Sequence, residues 1–315
     1  MRKAKALIIS SLPLSRLRLA QLSAHLVVAV IALVVVGGAT RVMEAGLACP
    51  DWPLCYGAFF PGLQMNLQVF LEWFHRLDAF LIGIALVIQV FLSFIWRSDL
   101  PRWVPISSLV LVVLVSLQGV LGALTVKNLL PSGVVTAHLG LGLILVASLS
   151  ATTQALLFNE SDKAPIWWRL LSLSSSFAVI AQCLIGGKMA TSWSAQQCIN
   201  NSTSSCAWVD LHRISAIAVT CLICLFIAIA FSKSGWPRTQ WPLLISILLL
   251  VAIQIGLGLM TFSFGLSQPL LTVGHQLVAA LLVAILSALS FRRPQRSSPT
   301  VPELGQKSSL EPCHG

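Results

Sequence analysis

The chain has 315 residues, of which 57% are apolar and only 10% are charged. A water-exposed surface of this size needs many more polar side chains, so the composition excludes an ordinary soluble protein and indicates a surface that lies in lipid. The formal net charge of +10 does not indicate nucleic-acid binding, because the basic residues alternate with the apolar stretches as they do in membrane proteins.

Eight apolar stretches are each long enough to cross a hydrocarbon core of about 30 Å. They lie at 23–43, 69–95, 104–126, 133–157, 166–190, 209–231, 241–263 and 270–291. All eight are predicted to be helices, because lipid offers no partner to an unpaired backbone group and the stretches lack the alternation of barrel strands. The predicted fold class is therefore an all-α polytopic membrane protein with eight transmembrane helices.

Basic residues precede the first span and then occur in every second connection. They are Arg2, Lys3, Lys5, Arg16, Arg18, Arg97, Arg102, Lys163, Arg169, Lys233, Arg238, Arg292, Arg293 and Arg296, and the main exception is Lys127. The positive-inside rule therefore predicts a bacterial plasma-membrane protein with both termini in the cytoplasm. Residues 1–22 also fit a transit peptide, but their charge fits the alternation and favours a cytoplasmic arm. The Ser/Pro-rich residues 292–315 are predicted to be a disordered cytoplasmic tail.

The two halves of the chain repeat each other. His138 follows His75 at the same separation, 63 residues, as His275 follows His212. The repeat also contains a Gln-x3-Gly-x2-Thr pattern (Gln118, Gly122, Thr125 and Gln254, Gly258, Thr261) and glycine pairs predicted to end the first and fifth spans (Gly37-Gly38 and Gly186-Gly187). Two four-helix bundles are therefore predicted, at 23–158 and 159–291. Because four spans is an even number, a pseudo-twofold axis along the membrane normal would relate them.

The four repeated histidines are candidate haem ligands. Each is predicted in the first turns of a helix that starts on the outer side, which places all four at one depth in the outer leaflet. Two facing helices that each contribute an imidazole can supply both axial ligands of haem iron, so His75 with His138 and His212 with His275 predict two haem sites. Alternatively, each histidine hydrogen-bonds a neighbouring helix or lies at the headgroup level. The repetition favours ligation, and structural zinc is disfavoured because it needs four close ligands.

Glu72 distinguishes the two halves, because Val209 occupies the matching position of the second half. Glu72 lies three residues before His75, which places both side chains on one helix face, and an ionisable group at membrane depth is a functional candidate. The alternative is an ion pair with Arg76 that holds the helix end at the interface. Arg76 and its counterpart Arg213 are also candidate partners of haem propionates. The asymmetry indicates chemistry in the first half and electron storage in the second.

Cysteine pairs occur in the outer loop of each half. Because the outer compartment is oxidising, Cys49 with Cys55 and Cys198 with Cys206 are predicted to form disulfides that close a loop over each bundle. The alternative is a redox-active thiol pair. The other cysteines, Cys183, Cys221, Cys224 and Cys313, are interpreted as small apolar side chains. The two histidines outside the repeat, His25 and His314, are interpreted as non-ligands.

The residues resemble those of the haem A synthases of bacteria and mitochondria over nearly the whole chain. The segments that carry the resemblance are 37–41, the loop 46–57 with its Pro-Asp-Trp-Pro-Leu-Cys run, 72–76 and 211–213. The resemblance implies that His75 and His138 bind haem O as substrate and that His212 and His275 ligate haem b. It also implies that Glu72 is the catalytic carboxylate.

The activity implied by the resemblance is the oxidation of the C8 methyl of haem O to the formyl of haem A by successive hydroxylations. This makes the protein an oxidoreductase acting on a CH, CH2 or CH3 group, and its product serves a terminal oxidase. The resemblance suggests haem O synthase (protohaem farnesyltransferase), cytochrome oxidase assembly and membrane lipid as partners. It is compatible with a homo-oligomer, and no nucleic-acid partner is expected.

Two other classes also account for four histidines, namely a quinone-linked dihaem electron-transfer cytochrome and a haem carrier or assembly protein. The sequence leaves several questions open: the electron acceptor, the origin of the oxygen, the oligomeric state, the substrate route, and whether the cysteine pairs are structural or redox-active.

Overall fold

The computed structural model describes residues 12–157, 164–201, 206–233 and 240–291. Within these ranges the regular structure is helical, without a strand, and eight helices are long and apolar enough to cross a membrane. The prediction of an all-α polytopic membrane protein is confirmed. The predicted tail at 292–315, with His314 and Cys313, lies outside the described residues, and so does the predicted bundle boundary at residues 158 and 159.

Seven predicted spans agree with the observed helices to within two residues at either end. The helices are α1 (Leu14–Val42), α2 (Leu67–Ile95), α3 (Val104–Lys127), α4 (Ser132–Leu157), α5 (Ile166–Thr191), the short α6 (Ser194–Asn201), α7 (Ala207–Ser232), α8 (Trp241–Ser263) and α9 (Pro269–Phe291). The sequence did not predict α6. A single 3-10 turn, Gly62–Gln64, precedes α2.

The first span begins earlier than predicted. Residues 14–22, which were predicted as part of a terminal arm, form the first turns of α1 after Pro13. The side chain of Arg16 is buried there, and its Nε donates a hydrogen bond of 2.8 Å to the carbonyl of Leu156. Since the last carbonyls of a helix have no partner within that helix, Arg16 stabilises the end of α4 while it extends α1.

The four long helices of each half pack against one another in the same order. In the first half α1, α2, α3 and α4 contact one another in a ring, and in the second half α5, α7, α8 and α9 do the same. Contacts of α9 with α1 and α4, and of α4 with α5, join the two halves. The helices at this junction are the more buried ones, whereas α3 turns most of its apolar surface outward, as a lipid-facing helix does. The pseudo-twofold relation between the halves remains a prediction.

Candidate functional site

The structure brings together the histidines that the repeat paired. His75 on α2 faces His138 on α4, and His212 on α7 faces His275 on α9. The ring centres are 6.4 Å apart in both pairs, and the interplanar angles are 64° and 65°. Each histidine lies within the first three turns of its helix, slightly deeper than the predicted first turns. The two sites therefore have the same geometry.

This geometry fits a metal ion bound between two imidazoles. Two metal–nitrogen bonds of about 2 Å, arranged in line, place the ring centres roughly 6 Å apart. In the first pair, the Nδ1 atoms of His75 and His138 are buried without a hydrogen-bond partner, which is unusual for a polar atom unless a ligand completes the site. Among the described residues no group of three or more His, Cys, Asp or Glu side chains could share a metal. Each pair thus offers two ligands, the number that haem iron accepts axially.

Glycines on the neighbouring helices make room for the imidazoles. A Cβ atom added to Gly37 would lie 2.9 Å from Cε1 of His75, and one added to Gly186 would lie 2.9 Å from Cε1 of His212. Real Cβ atoms do not approach so closely, so both rings need the absence of a side chain there. The glycine pairs were predicted to end their helices, but they lie inside α1 and α5. Their role is close packing against the sites.

The other histidine of each pair also lies against a glycine, the one in the repeated Gln-x3-Gly pattern. An added Cβ would lie 3.5 Å from Cε1 of His138 at Gly122 and 3.1 Å from Cε1 of His275 at Gly258. In all four cases the nearest ring atom is Cε1. All four imidazoles therefore lie against helix backbone in the same way.

Sequence reasoning missed a glutamine contact that His212 has and that its counterpart His75, which lies opposite Leu33 in the repeat, does not have. The Nε2 of Gln182 donates a 2.7 Å hydrogen bond to the carbonyl of His212 and lies 3.1 Å from its Nδ1. The Oε1 of Gln182 accepts a 2.6 Å hydrogen bond from Ser215. In the first half, the repeat places Leu33 opposite Gln182 and Asp78 opposite Ser215. These two positions differ between the halves in the sequence itself, and this difference is the signal that indicates the contact.

The Glu72 carboxylate forms the ion pair that the sequence offered as an alternative. Glu72 is 4% exposed, and its Oε1 lies 2.5 Å from Nη2 of Arg76. Its Oε2 accepts a 2.8 Å hydrogen bond from the backbone N–H of Cys49. The Nη1 of Arg76 donates to the carbonyls of Asp51 at 2.7 Å and Leu54 at 2.6 Å. Glu72 and Arg76 together attach the outer loop to the start of α2.

Both predicted disulfides are formed, Cys49–Cys55 and Cys198–Cys206. The first loop is further ordered by Asp51, whose carboxylate accepts hydrogen bonds from the backbone N–H groups of two later loop residues, Tyr56 and Gly57. Lys127, the exception in the charge pattern, lies over the ring of Trp52 in this loop at 5.8 Å. That contact gives this basic residue an aromatic partner in the loop.

In the part of the second half that the structure describes, this network is absent. Val209 is buried where the first half has Glu72. Arg213, the counterpart of Arg76, lies over the ring of Phe262 at 4.1 Å. The structure therefore places the two arginines in different surroundings, and a propionate contact of either one remains a prediction. Among the described residues the remaining cysteines, Cys183, Cys221 and Cys224, are free thiols within helices.

Comparison with known proteins finds relatives that match most of the chain. A Heme A synthase of Shewanella oneidensis is 28% identical over 85% of this chain and 94% of its own length. A Heme A synthase of Bacillus pumilus is 32% identical over 38% of this chain and 39% of its own length. A Protoheme IX farnesyltransferase of Halobacterium salinarum is 34% identical over 38% of this chain and 26% of its own length. Residues 20–287 match the family of cytochrome oxidase assembly proteins COX15-CtaA, and the chain belongs to that family.

Proposed function

We propose that this protein is a haem A synthase, an oxidoreductase that converts haem O to haem A. The observation that carries the proposal is the presence of two imidazole pairs with ring centres 6.4 Å apart, each suited to a porphyrin. The relative from Shewanella oneidensis, which aligns over most of both chains, is named Heme A synthase. Membership in a family of cytochrome oxidase assembly proteins supports an enzyme whose product, haem A, serves a terminal oxidase.

The two sites have different roles in this proposal. His75 and His138 bind haem O as substrate, and His212 and His275 hold haem b. The division is supported by the asymmetry of the surroundings, since Glu72, a buried carboxylate that binds the loop at Cys49, has the buried Val209 at the matching position of the second half. Haem b supplies one-electron transfer when it is bound. The Gln182 amide holds the backbone of His212 through its carbonyl, as the Gln118 amide does for His138.

The side chains of the first site position the substrate and handle protons. Oxidation of the C8 methyl to a formyl group removes four electrons from that carbon and releases protons. The imidazoles of His75 and His138 fix the plane of the porphyrin and hence the height of its edge. Glu72, on the same helix face as His75, accepts a proton at Oε2, the atom that otherwise accepts the hydrogen bond from Cys49. The loop attached by Arg76 keeps water from this carboxylate.

The orientation in the membrane follows from the charges and the disulfides. Both termini lie in the cytoplasm, since the basic connections face that side. The disulfide-bonded loops and the four histidines lie toward the extracytoplasmic side, where an oxidising compartment preserves the bridges. Porphyrin oxidation then takes place in the outer leaflet.

Haem extraction from the purified full-length protein tests the function. Haem O, a hydroxylated intermediate or haem A beside haem b is expected, resolved by chromatography and mass. Haem b in both sites would instead indicate a dihaem electron-transfer cytochrome. His75→Ala is expected to abolish haem A formation and retain haem b, whereas His212→Ala is expected to lose haem b.

The role of Glu72 has its own test. Glu72→Gln keeps an oxygen that can accept from Cys49 and removes the negative charge, so we expect haem A formation in membranes to fall strongly while haem b remains. Glu44→Gln, an exposed carboxylate on the same side, is the matched control and is expected to retain activity. Full haem A formation by Glu72→Gln would show that this carboxylate does not handle protons in the reaction.

A further inference from the structure

Asp78 is a second carboxylate on α2, and the proposed function does not yet use it. It follows His75 by three residues, so the two side chains are neighbours on the helix surface, well inside the membrane span. The Asp78 side chain is half-buried, and among the described residues no group forms a hydrogen bond or an ion pair with it. A carboxyl group inside a membrane is costly without a partner and marks a functional site by default.

The neighbouring cation does not pair with Asp78. Arg76 forms the ion pair with Glu72, and its Nη1 donates to the carbonyls of Asp51 and Leu54. These contacts direct the guanidinium toward the outer loop. The structure therefore leaves the carboxyl group of Asp78 available to a ligand.

The second half shows what the position of Asp78 can reach. Its counterpart there, Ser215, donates a 2.6 Å hydrogen bond to Oε1 of Gln182, and Nε2 of Gln182 lies 3.1 Å from Nδ1 of His212. The two histidine pairs have the same ring separation, 6.4 Å, so corresponding positions have corresponding places beside the imidazoles. By this correspondence Asp78 lies beside the first site.

The first half has lost the protein partner of this position. Leu33 occupies the place of Gln182, and its side chain has no hydrogen-bonding group. In the second half Ser215 and Gln182 satisfy each other, whereas Asp78 needs a partner from outside the chain. A hydroxyl group suits it in either protonation state, because an ionised carboxylate accepts from a hydroxyl and a neutral carboxylic acid also donates to one.

We propose that Asp78 hydrogen-bonds the hydroxyl group of haem O and thereby distinguishes haem O from haem b. The inference rests on the proposed function. Haem O carries this hydroxyl on the carbon that joins the farnesyl chain to the ring, where haem b has a vinyl group. A site built to bond a hydroxyl rejects an analogue that lacks it, because its own buried polar group is then left unpaired. The contact also fixes the rotation of the porphyrin about the line between the two imidazoles.

Two porphyrins isolate the hydroxyl group in a binding test. Iron haematoporphyrin has hydroxyethyl groups where iron mesoporphyrin has ethyl groups, and neither has a farnesyl chain. The purified full-length protein, with haem b in the second site, is titrated optically with each. We expect the unmodified protein to bind iron haematoporphyrin about tenfold or more tightly than iron mesoporphyrin, the effect of a hydrogen bond to a charged group.

Three variants locate the source of this preference. Asp78→Leu should bind both porphyrins alike, with the spectrum of two axial imidazoles retained. Leu33→Gln supplies Asp78 with the glutamine of the second half and should also lower the preference. Asp99→Asn, which changes an exposed carboxylate in the connection after α2, is the matched control and should keep the full preference.

Equal affinity of the unmodified protein for the two porphyrins would overturn the assignment of Asp78. A full preference in Asp78→Leu would overturn it as well, and both results leave the proposed function intact. By contrast, haem O binding that is unaffected by His75→Ala and His138→Ala would contradict the proposed function itself.

Discussion

Gly38 lies against the side-chain amide of Gln276, the residue that follows His275 in the other half of the chain. The Nε2 of Gln276 donates a 2.9 Å hydrogen bond to the carbonyl of Val34, also on α1. The adjacent Gly37 lies against His75 of its own half. The Gly37-Gly38 pair on α1 thus contacts His75 of the first site and the residue next to His275 of the second site.

The second glycine pair repeats this arrangement. Gly186 lies against His212 of its own half, and a Cβ added to Gly187 would lie 3.0 Å from Cδ2 of Leu139, which follows His138. Only residues without a side chain allow helices to approach so closely in a membrane. The two sites are therefore packed against each other through the backbones of α1 and α5.

Gly186→Ala is expected to impair the second site. The new Cβ would lie 2.9 Å from Cε1 of His212, so the ring must leave the position in which it faces His275. We expect the haem b content of the purified protein to fall about tenfold, in line with the 1–3 kcal/mol that overpacking typically costs. The pyridine haemochrome spectrum measures this content. Gly256→Ala, where an added Cβ meets no atom within 4 Å, should retain haem b. Equal haem content in both variants would contradict the close packing.

Gln182→Leu removes the polar partner of His212. Loss of an outer-shell contact of a metal-binding histidine typically weakens binding about 10–100-fold, and we expect haem b to dissociate faster by a factor in that range. Transfer of haem to an excess of apomyoglobin measures the rate. Leu33→Gln, the reciprocal change at the matching position of the first half, should leave the rate unchanged. A wild-type rate in Gln182→Leu would show that the contact does not hold the ligand.

The helices and the histidine pairs could be predicted from the sequence because their signals are local or repeated. Lipid requires a span of fixed length and apolar composition, and this requirement located α2 and α8 within two residues. The equal spacing of His75 to His138 and of His212 to His275 identified the partners, since corresponding positions in a repeat have corresponding surroundings.

The remaining features depend on contacts between distant segments. The start of α1 could not be located by hydropathy because Arg16 is charged, and its burial depends on the carbonyl of Leu156. The attachment of the outer loop depends on Arg76 and on two loop carbonyls that have no signature in the sequence. The contact of Gln182 could not be predicted from identities between the halves, because this position matters through a difference between them.

Arg76→Gln is expected to release the outer loop. The change leaves Glu72 buried without its cation, and breaking a buried ion pair in this way typically costs about 3–5 kcal/mol. It also removes the donor to the carbonyls of Asp51 and Leu54. Amide hydrogen exchange in the segment 49–59 should become faster. Arg213→Gln, the counterpart over Phe262, should not change exchange in that segment. Slow exchange in both variants would mean that the disulfide alone orders the loop.

Single cysteines in two connections test the orientation. Leu63 is fully exposed between α1 and α2, and Ser98 is exposed between α2 and α3 beside the basic residues of that connection. A membrane-impermeant maleimide should label Leu63→Cys in intact cells and Ser98→Cys only after permeabilisation, with the parent protein as background. The reverse pattern would place Cys49 and Cys55 in the cytoplasm, where thiols are kept reduced. Since the bridge and the positive-inside rule independently predict one orientation, an inverted result would refute both arguments at once.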